Sequence, residues 1–178
     1  AFPRLAGADL AARGFRHLHV GELASLVAEP GIIALARAND MTISVDCSWD
    51  DALRADQIHP LAGKIDVFLP NEAEHSALLR MGVAGALAPI TVVKRGPEGA
   101  RAITRDGTLE MPTEVLKAVD TTGAGDAFNA GFLSAWLAGR SLRDCLAGGN
   151  AQGAKAVQKR GGFNPAQSPV SEIGVAGE

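Results

Sequence analysis

Asp120-Thr-Thr-Gly-Ala-Gly-Asp-Ala-Phe128 sets two glycines and an aspartate at the point where an apolar stretch gives way to a helical pattern. At such a junction the unpaired backbone N–H groups and the positive end of the helix dipole converge, and glycine lets a ligand come close, so the stretch is a candidate anion site. Asp126 is the odd member. A carboxylate near a helix start is favoured by the dipole and can serve as a cap, yet it would repel a phosphate bound beside it unless it takes part in the chemistry. On the residues alone both readings stand.

Downstream of the motif, Phe128, Gly131, Phe132, Ala135 and Trp136 recur at i, i+3, i+4, i+7 and i+8, which predicts a helix with one core face, ended by Gly139. Ser141-Leu-Arg-Asp144 has the form of a capping box and starts a second helix reaching to about Lys159, before Gly161-Gly162. Its inner face reads Leu142, Cys145, Leu146, Gly149, Gly153, Ala156 and Val157. Glycine inside a helix costs about 1 kcal/mol relative to alanine, so Gly148, Gly149 and Gly153 require a reason. Close helix packing is one; room for a flat ligand such as a purine is the other. The tail after Phe163 is polar, with two prolines, and reads as a surface segment.

Upstream, the chain repeats a rhythm of short apolar strand and helix-sized spacer. Residues 5–13 read as a short helix stopped by Gly14, and Phe15–Val20 as a strand with His17 and His19 on one face. Two imidazoles at strand spacing can be metal ligands, but no third ligand accompanies them. Glu22–Asn39 is helical in two pieces divided at Pro30-Gly31, and Met41–Asp46 is a β-branched run ending in an acid. A loop and short helix over Trp49–Leu61, the strand Ile65–Leu69, the helix Glu72–Met81 and the strand Ile90–Val93 follow. Such alternation predicts a parallel α/β sheet with helices on both faces, with ligands beyond the carboxyl ends of the strands. Asp46, Asn71, Glu74, Gly96 and Gly99 then share one rim. Ala100–Thr104 and Thr108–Met111, joined at Asp106-Gly107, predict a β-hairpin at one edge, and Val115–Val119 a further extended stretch.

Composition excludes several classes of function. At 178 residues the chain fits a single α/β domain over 1–178, given a prior of about 150 residues per domain. Seventeen basic and twenty acidic side chains give a net charge of −3 with no basic block, which gives no reason to expect nucleic acid or an anionic membrane as a partner. Cys47 and Cys145 stand far apart without a CxxC pattern, as buried thiols in a reducing compartment do, and a cytoplasmic location follows as the expectation. No segment approaches the ~20 apolar residues of a membrane span, and the start lacks a secretory pattern.

Gly123-Ala-Gly-Asp-Ala-Phe128 is a near miss to the dinucleotide pattern GxGxxG, with Phe128 where the third glycine belongs and the loop late in the chain rather than after the first strand. No GxxxxGK[ST] is present. What remains is a phosphate-cradling turn that carries its own carboxylate. In this form Asp120–Phe128 resembles the second signature of the ribokinase-like (PfkB) carbohydrate kinase family. Asn71-Glu-Ala-Glu74 resembles that family's Asn-x-x-Glu element, Lys94-x-Gly96-x-x-Gly99 its nucleotide-side loop, and Asn150 to Gly162 its late helix and glycine turn near the adenine. The resemblance covers the chain from about Arg16 to Phe163.

The resemblance implies a ribokinase-like three-layer fold and ATP-dependent phosphorylation of a sugar or sugar-like hydroxyl. Asp126 would be the general base, and the N–H groups of Gly123, Ala124 and Gly125 the anion hole. Lys94, Gly96, Gly99, Asn150 and Gly153 would lie on the nucleotide side. Asn71 and Glu74 would order Mg²⁺ and its waters, and Asp120 matches a position that in many members helps bind a monovalent cation such as K⁺. The polar residue those members carry after the late glycine falls near Pro165, a departure from the pattern. A homodimer is among the assemblies that relatives form. The family's amino-terminal half, with its sugar-binding glycine signature and β-sheet lid, has no counterpart before Ala1. The chain is therefore expected to enter the fold midway, truncated on its amino-terminal side, and to expose a long apolar sheet edge. The alternative that this leaves is a noncatalytic fragment that binds a nucleotide or a partner.

Overall fold

Four apolar runs separated by helix-sized spacers build the parallel part of a six-stranded sheet in the computed structural model, which describes residue 10 and residues 12–83, 87–114, 116 and 118–158. Strands β1 (His17–Val20), β2 (Thr42–Asp46), β3 (Val67–Leu69) and β4 (Ile90–Lys94) pair in parallel, in chain order. β5 (Ala100–Thr104) and β6 (Gly107–Met111) then add antiparallel as the expected hairpin. Helices α1 (Leu23–Ala28), α2 (Gly31–Ala38), α3 (Ala55–Ile58), α4 (Glu72–Arg80), α5 (Ala124–Leu137) and α6 (Leu142–Ala156) complete the order.

Side chains on a strand alternate between faces, and here that alternation splits the core in two. Ile43, Val45 and Phe68 pack with Leu23, Leu26, Ile33, Ile58 and Leu78 from α1–α4. Val67, Leu69, Val92 and Ala102 pack with Phe128, Phe132, Leu133 and Leu146 from α5 and α6. The sheet is therefore covered on both faces, as a parallel sheet requires. Polar Ser44 and Asp46 alternate with Ile43 and Val45, so they face α5 together with the second core.

The α5–α6 pair explains two of the three helical glycines. A β-carbon at Gly131 would lie 2.4 Å from the Gly148 carbonyl oxygen, and one at Gly149 would lie 2.7 Å from the Phe128 ring. The two helices touch backbone to backbone at Gly131 and Gly148, and the Phe128 ring fills the space beside Gly149. Ser141 caps α6 by accepting the Asp144 N–H at 3.2 Å, but its hydroxyl donates to the Asp144 carboxylate at 2.7 Å. Asp, one carbon shorter than Glu, thus bonds the cap's hydroxyl.

Several expectations need adjustment. The helix expected over 5–13 lies largely outside the described residues, which form a turn at 12–14. Gly161, Gly162 and Pro165 also lie outside them. The described residues of 115–119 form no strand, because Val119 and Asp120 donate instead to the Val157 carbonyl at 2.7 and 3.2 Å. Among the described residues, β1 at the edge of the sheet is four residues long, and two of the four are histidines. Both cysteines are buried and unpaired, and burial pushes the Cys47 thiol up to about 12.

Helix propensity favours alanine over glycine by about 1 kcal/mol, but a backbone carbonyl at 2.4 Å cannot swing aside as a side chain would. Gly131→Ala is expected to lower stability by about 2 kcal/mol. Gly148→Ala, whose β-carbon would lie 3.1 Å from the Gly131 oxygen, should cost less. Thermal unfolding of the two variants side by side checks the order.

Candidate functional site

The site is built at the start of α5. Gly123 stands at the N-cap with φ 75°, in the left-handed region that glycine adopts without penalty, and turns the chain into Ala124, Gly125 and Asp126. The N–H groups of Gly123, Gly125 and Asp126 have no partner among the described residues. That of Ala124 turns back to the Thr121 carbonyl at 3.2 Å. The open donors therefore differ from the expected set by one residue, with the N–H of Asp126 in place of that of Ala124. Asp120 accepts the Thr122 N–H at 2.9 Å and so shapes the turn that leads into the cradle. The Asp126 side chain is exposed.

Beside the cradle lies a cavity of about 300 Å³. Lys94, Thr121, Ala124 and Gly125 line its polar end, Gly96 and Gly99 one wall, and Phe128, Gly153, Ala154 and Val157 the far wall. A β-carbon at Gly153 would meet the Ala124 carbonyl oxygen at 3.4 Å and the Phe128 β-carbon at 3.6 Å, ordinary contact distances, so this glycine is under less steric demand than Gly131 or Gly149. Gly99 has φ 88°, and a β-carbon there would lie 2.1 Å from the Met111 carbonyl oxygen, so only glycine lets this loop pass beneath the end of the hairpin. Asn150 lines the cavity, and its amide donates to the Met111 and Pro112 carbonyls at 2.9 and 3.2 Å, tying α6 to the same hairpin end. Thr113, Glu114, Leu116 and Ala118 complete the lining. The sequence singled out none of these four for a site, because an aperiodic connection carries no pattern.

A second omission is larger. Lys94 donates to both Asp46 oxygens, at 2.9 and 2.7 Å, and to the Asn129 amide oxygen at 3.3 Å, while the Asn129 amide donates to Asp46. The Lys94 and Asp46 side chains are 13% and 10% exposed. Asp46 also accepts the Cys47 N–H at 2.7 Å. This ring joins β2, β4 and α5 directly below the cradle, and a β-carbon on Gly125 would lie 3.6 Å from the Lys94 ammonium. Asp46 was legible as an acid ending an apolar strand. Asn129, a polar residue between two core positions of α5, was the available signal for its partner.

Asn71 and Glu74 form a reciprocal box at the start of α4. The Asn71 side chain accepts the Glu74 N–H at 2.9 Å, and Glu74 accepts the Asn71 N–H at 2.7 Å and the Trp49 N–H at 3.2 Å. Ser48, with φ 40°, bends the chain so that Trp49 reaches Glu74. Asn71 bridges to Lys94, which places this pair at the next strand end along the rim. Arg95 then ties the Gly96 loop to α4 through Glu72 at 2.9 Å and to β6 through Glu110 at 3.5 Å. Among the described residues no three His, Cys, Asp or Glu side chains converge as a metal cage.

His17 and His19 face α5 and take their bonds from hydroxyls. His17 bonds Thr42 and Ser44, and His19 bonds Ser44, all at 2.8 Å. Burial, and after it the neighbouring His19, hold His17 below the ordinary histidine range. Burial lowers His19 as well, against the raising effect of the Asp46 and Asp126 carboxylates.

An open α/β sheet with a cavity and a glycine-led helix start beyond the carboxyl ends of its parallel strands defines the class of protein. The chain belongs to the pfkB family of carbohydrate kinases, whose pattern matches residues 24–169. It is 38% identical over 167 residues to the 2-dehydro-3-deoxygluconokinase of Bacillus subtilis, covering 82% of this chain and 51% of that one. It is 32% identical over 151 residues to the acarbose 7(IV)-phosphotransferase of an Actinoplanes species, covering 79% and 48%. The solved ribokinase of Thermotoga maritima superposes with a TM-score of 0.66 at 21% identity, over 83% of this chain and 52% of that one. The chain spans about half the length of the curated relatives it matches. No helix among the described residues is long and apolar enough to cross a membrane.

Removing one partner of a buried ion pair leaves the other desolvated and uncompensated. Asp46→Ala is expected to lower stability by about 3 kcal/mol, and adding Lys94→Met to that variant to recover part of the loss. Urea unfolding of the single and double variants measures both.

Proposed function

We propose that this chain carries the phosphoryl-transfer machinery of an ATP-dependent kinase that acts on a hydroxyl of a sugar or sugar-like alcohol. One observation carries the proposal. The start of α5 separates the cavity, on the side of Ala124, Gly125 and Phe128, from the exposed Asp126, which is absent from the cavity lining. A nucleotide in the cavity would direct its phosphates at the cradle, with a carboxylate on the opposite side where an acceptor would approach.

In this reading the acceptor hydroxyl attacks the γ-phosphorus of ATP, the bond from that phosphorus to the β,γ-bridging oxygen breaks, and ADP leaves. Asp126 takes the proton of the hydroxyl as the new phosphate ester forms. Phosphoryl transfer asks mainly for positioning and charge stabilisation. The N–H groups of Gly123, Gly125 and Asp126 supply donors aimed at the transferring group, and the helix dipole adds to them. Lys94, locked by Asp46 and Asn129, contributes a fixed positive charge at the polar end of the cavity. Gly96, Gly99, Asn150 and Gly153 shape the nucleotide side. Asn71 and Glu74 would hold Mg²⁺ through its waters, and the ion would neutralise phosphate charge. Glu74 already accepts two N–H bonds, so it is oriented in advance and keeps lone pairs for such waters. Asp120 fits a supporting role for a monovalent cation only through the turn it shapes.

Asp126→Asn keeps the size and the cap but loses the base. It should lower kcat by about 10²–10⁴ while leaving the calorimetric affinity for ATP·Mg²⁺ within a few fold. The assay follows transfer to 2-dehydro-3-deoxygluconate, acarbose and ribose, in the protein as the cell makes it. Full activity in the variant removes Asp126 from the role. Tight ATP binding by the unaltered protein with no transfer to any acceptor would make it a nucleotide-binding module instead.

A further inference from the structure

The two histidines of β1 belong to a chain of hydrogen bonds that the chemistry above does not use. Thr42 Oγ1 lies 2.8 Å from His17 Nδ1, His17 Nε2 lies 2.8 Å from Ser44 Oγ, and Ser44 Oγ lies 2.8 Å from His19 Nδ1. A hydroxyl carries one hydrogen and a neutral imidazole carries one N–H, so these three bonds can run in one direction or in the opposite one. The Thr42 hydroxyl lies 3.3 Å from the Arg16 carbonyl, which can only accept. Where Thr42 gives its one hydrogen to that carbonyl, Thr42 Oγ1 accepts from His17 Nδ1–H, and this is the direction that the nitrogen-15 spectrum below reads. His17 Nε2 is left as an acceptor for the Ser44 hydroxyl, and Ser44 Oγ in turn accepts from His19 Nδ1–H. The last atom in the series, His19 Nε2, is left with an open lone pair and no partner among the described residues.

The position of that lone pair follows from the fold. Register pairs His19 with Ser44, and Ser44 and Asp46, two residues apart, share the face toward α5. The His17 ring meets the Trp136 ring of α5 edge-on at 5.7 Å, while Asn129, seven residues earlier on the same helix, bonds Asp46. Going from Trp136 to Asn129 along α5 therefore follows β1 and β2 from His17 toward the carboxyl rim, and Asp126 stands one turn beyond Asn129. His19 is exposed, is absent from the cavity lining, and lies within electrostatic reach of Asp126. The Asp46, Asp126 and Lys94 charges are those that act on it.

We infer that His19 is a specificity-determining residue, its Nε2 lone pair accepting a hydrogen bond from a second hydroxyl of the acceptor molecule, next to the hydroxyl presented to Asp126. The inference rests on the kinase reading of Asp126. It names the class of acceptor as a polyol with a second hydroxyl beside the phosphorylated one. Ser44, His17 and Thr42 act behind His19 as positioning residues, fixing its tautomer through three half-buried bonds.

Two measurements test this. Nitrogen-15 NMR of the histidine side chains in the protein without substrate reads the tautomers, independently of any catalysis. His19 protonated at Nδ1 is expected; His19 protonated at Nε2 reverses the hydrogen-bond series and overturns the inference. The second uses whichever of 2-dehydro-3-deoxygluconate, acarbose and ribose is phosphorylated best. His19→Asn keeps an N–H near the Nδ1 position for Ser44 but has no acceptor at Nε2, and should raise the acceptor KM about tenfold. His19→Gln, whose amide oxygen reaches the Nε2 position, should recover most of that loss, with ATP affinity within twofold in both. Equal KM in His19→Asn and the unaltered protein overturns the inference, and so does an equal loss in the Asn and Gln variants, which marks a purely structural role. An unaltered protein that transfers phosphate to none of the three overturns the kinase reading and the inference with it, whatever the tautomer.

Discussion

Lys94 and Asp46 come from strands that are not neighbours, since β3 lies between β2 and β4. Two strand spacings separate their backbones by about 9.6 Å, a gap that a lysine and an aspartate together can just cross and two short side chains cannot. The crossing happens on the face that α5 covers, and Asn129 closes it, its oxygen accepting from Lys94 and its amide donating to Asp46. A buried ion pair of this kind is weak evidence for net stability, because desolvation opposes the attraction. Its consequence is positional. With three elements joined in one ring, the start of α5 has little freedom to shift along the sheet, and the open N–H groups of the cradle inherit that fixity.

The cavity depends on the same ring from its other side. Lys94 contributes both to the ring and to the polar end of the cavity, so β4 passes directly from the interior into the Gly96–Gly99 loop. Arg95 points the other way, to Glu72 and Glu110, and holds that loop to α4 and the hairpin. Successive residues on one strand thus serve opposite faces. The start of α4, with its Asn71–Glu74 box, is drawn to the same strand end through the bridge at Lys94.

Periodicity made the fold legible. Alternation and spacing placed every strand of the described sheet within two residues, and Pro30-Gly31 placed the break between α1 and α2, because these signals are local. The turn into α5 was legible for the same reason, in one run of nine residues. The ring beneath it was not. Its members are 35, 48 and 83 residues apart, and each has an ordinary local reading as strand end, loop lysine or helical asparagine. The bond from the Ala124 N–H to the Thr121 carbonyl was not legible, since it depends on the turn that Asp120 shapes. Spacing placed His17 and His19 on one face but could not show Ser44 between them, which exchanges metal ligation for a hydroxyl relay.

The two sides of the α5 start differ in how they are enclosed. Toward the cavity, the β4 loop, Thr113, Glu114, Leu116 and Ala118, and α6 surround a slot. Toward Asp126, the described residues offer the edge strand β1 and little else. Among the described residues, recognition there rests on few groups, each of which must be well oriented. An imidazole whose far nitrogen is bound to a buried hydroxyl meets that condition, since its ring plane and tautomer are set before any ligand arrives. On the proposed chemistry, the nucleotide side is specified by shape and the acceptor side by the direction of single hydrogen bonds. In this chain the two are separable, because changing a residue on β1 leaves the ring of Asp46, Lys94 and Asn129 untouched.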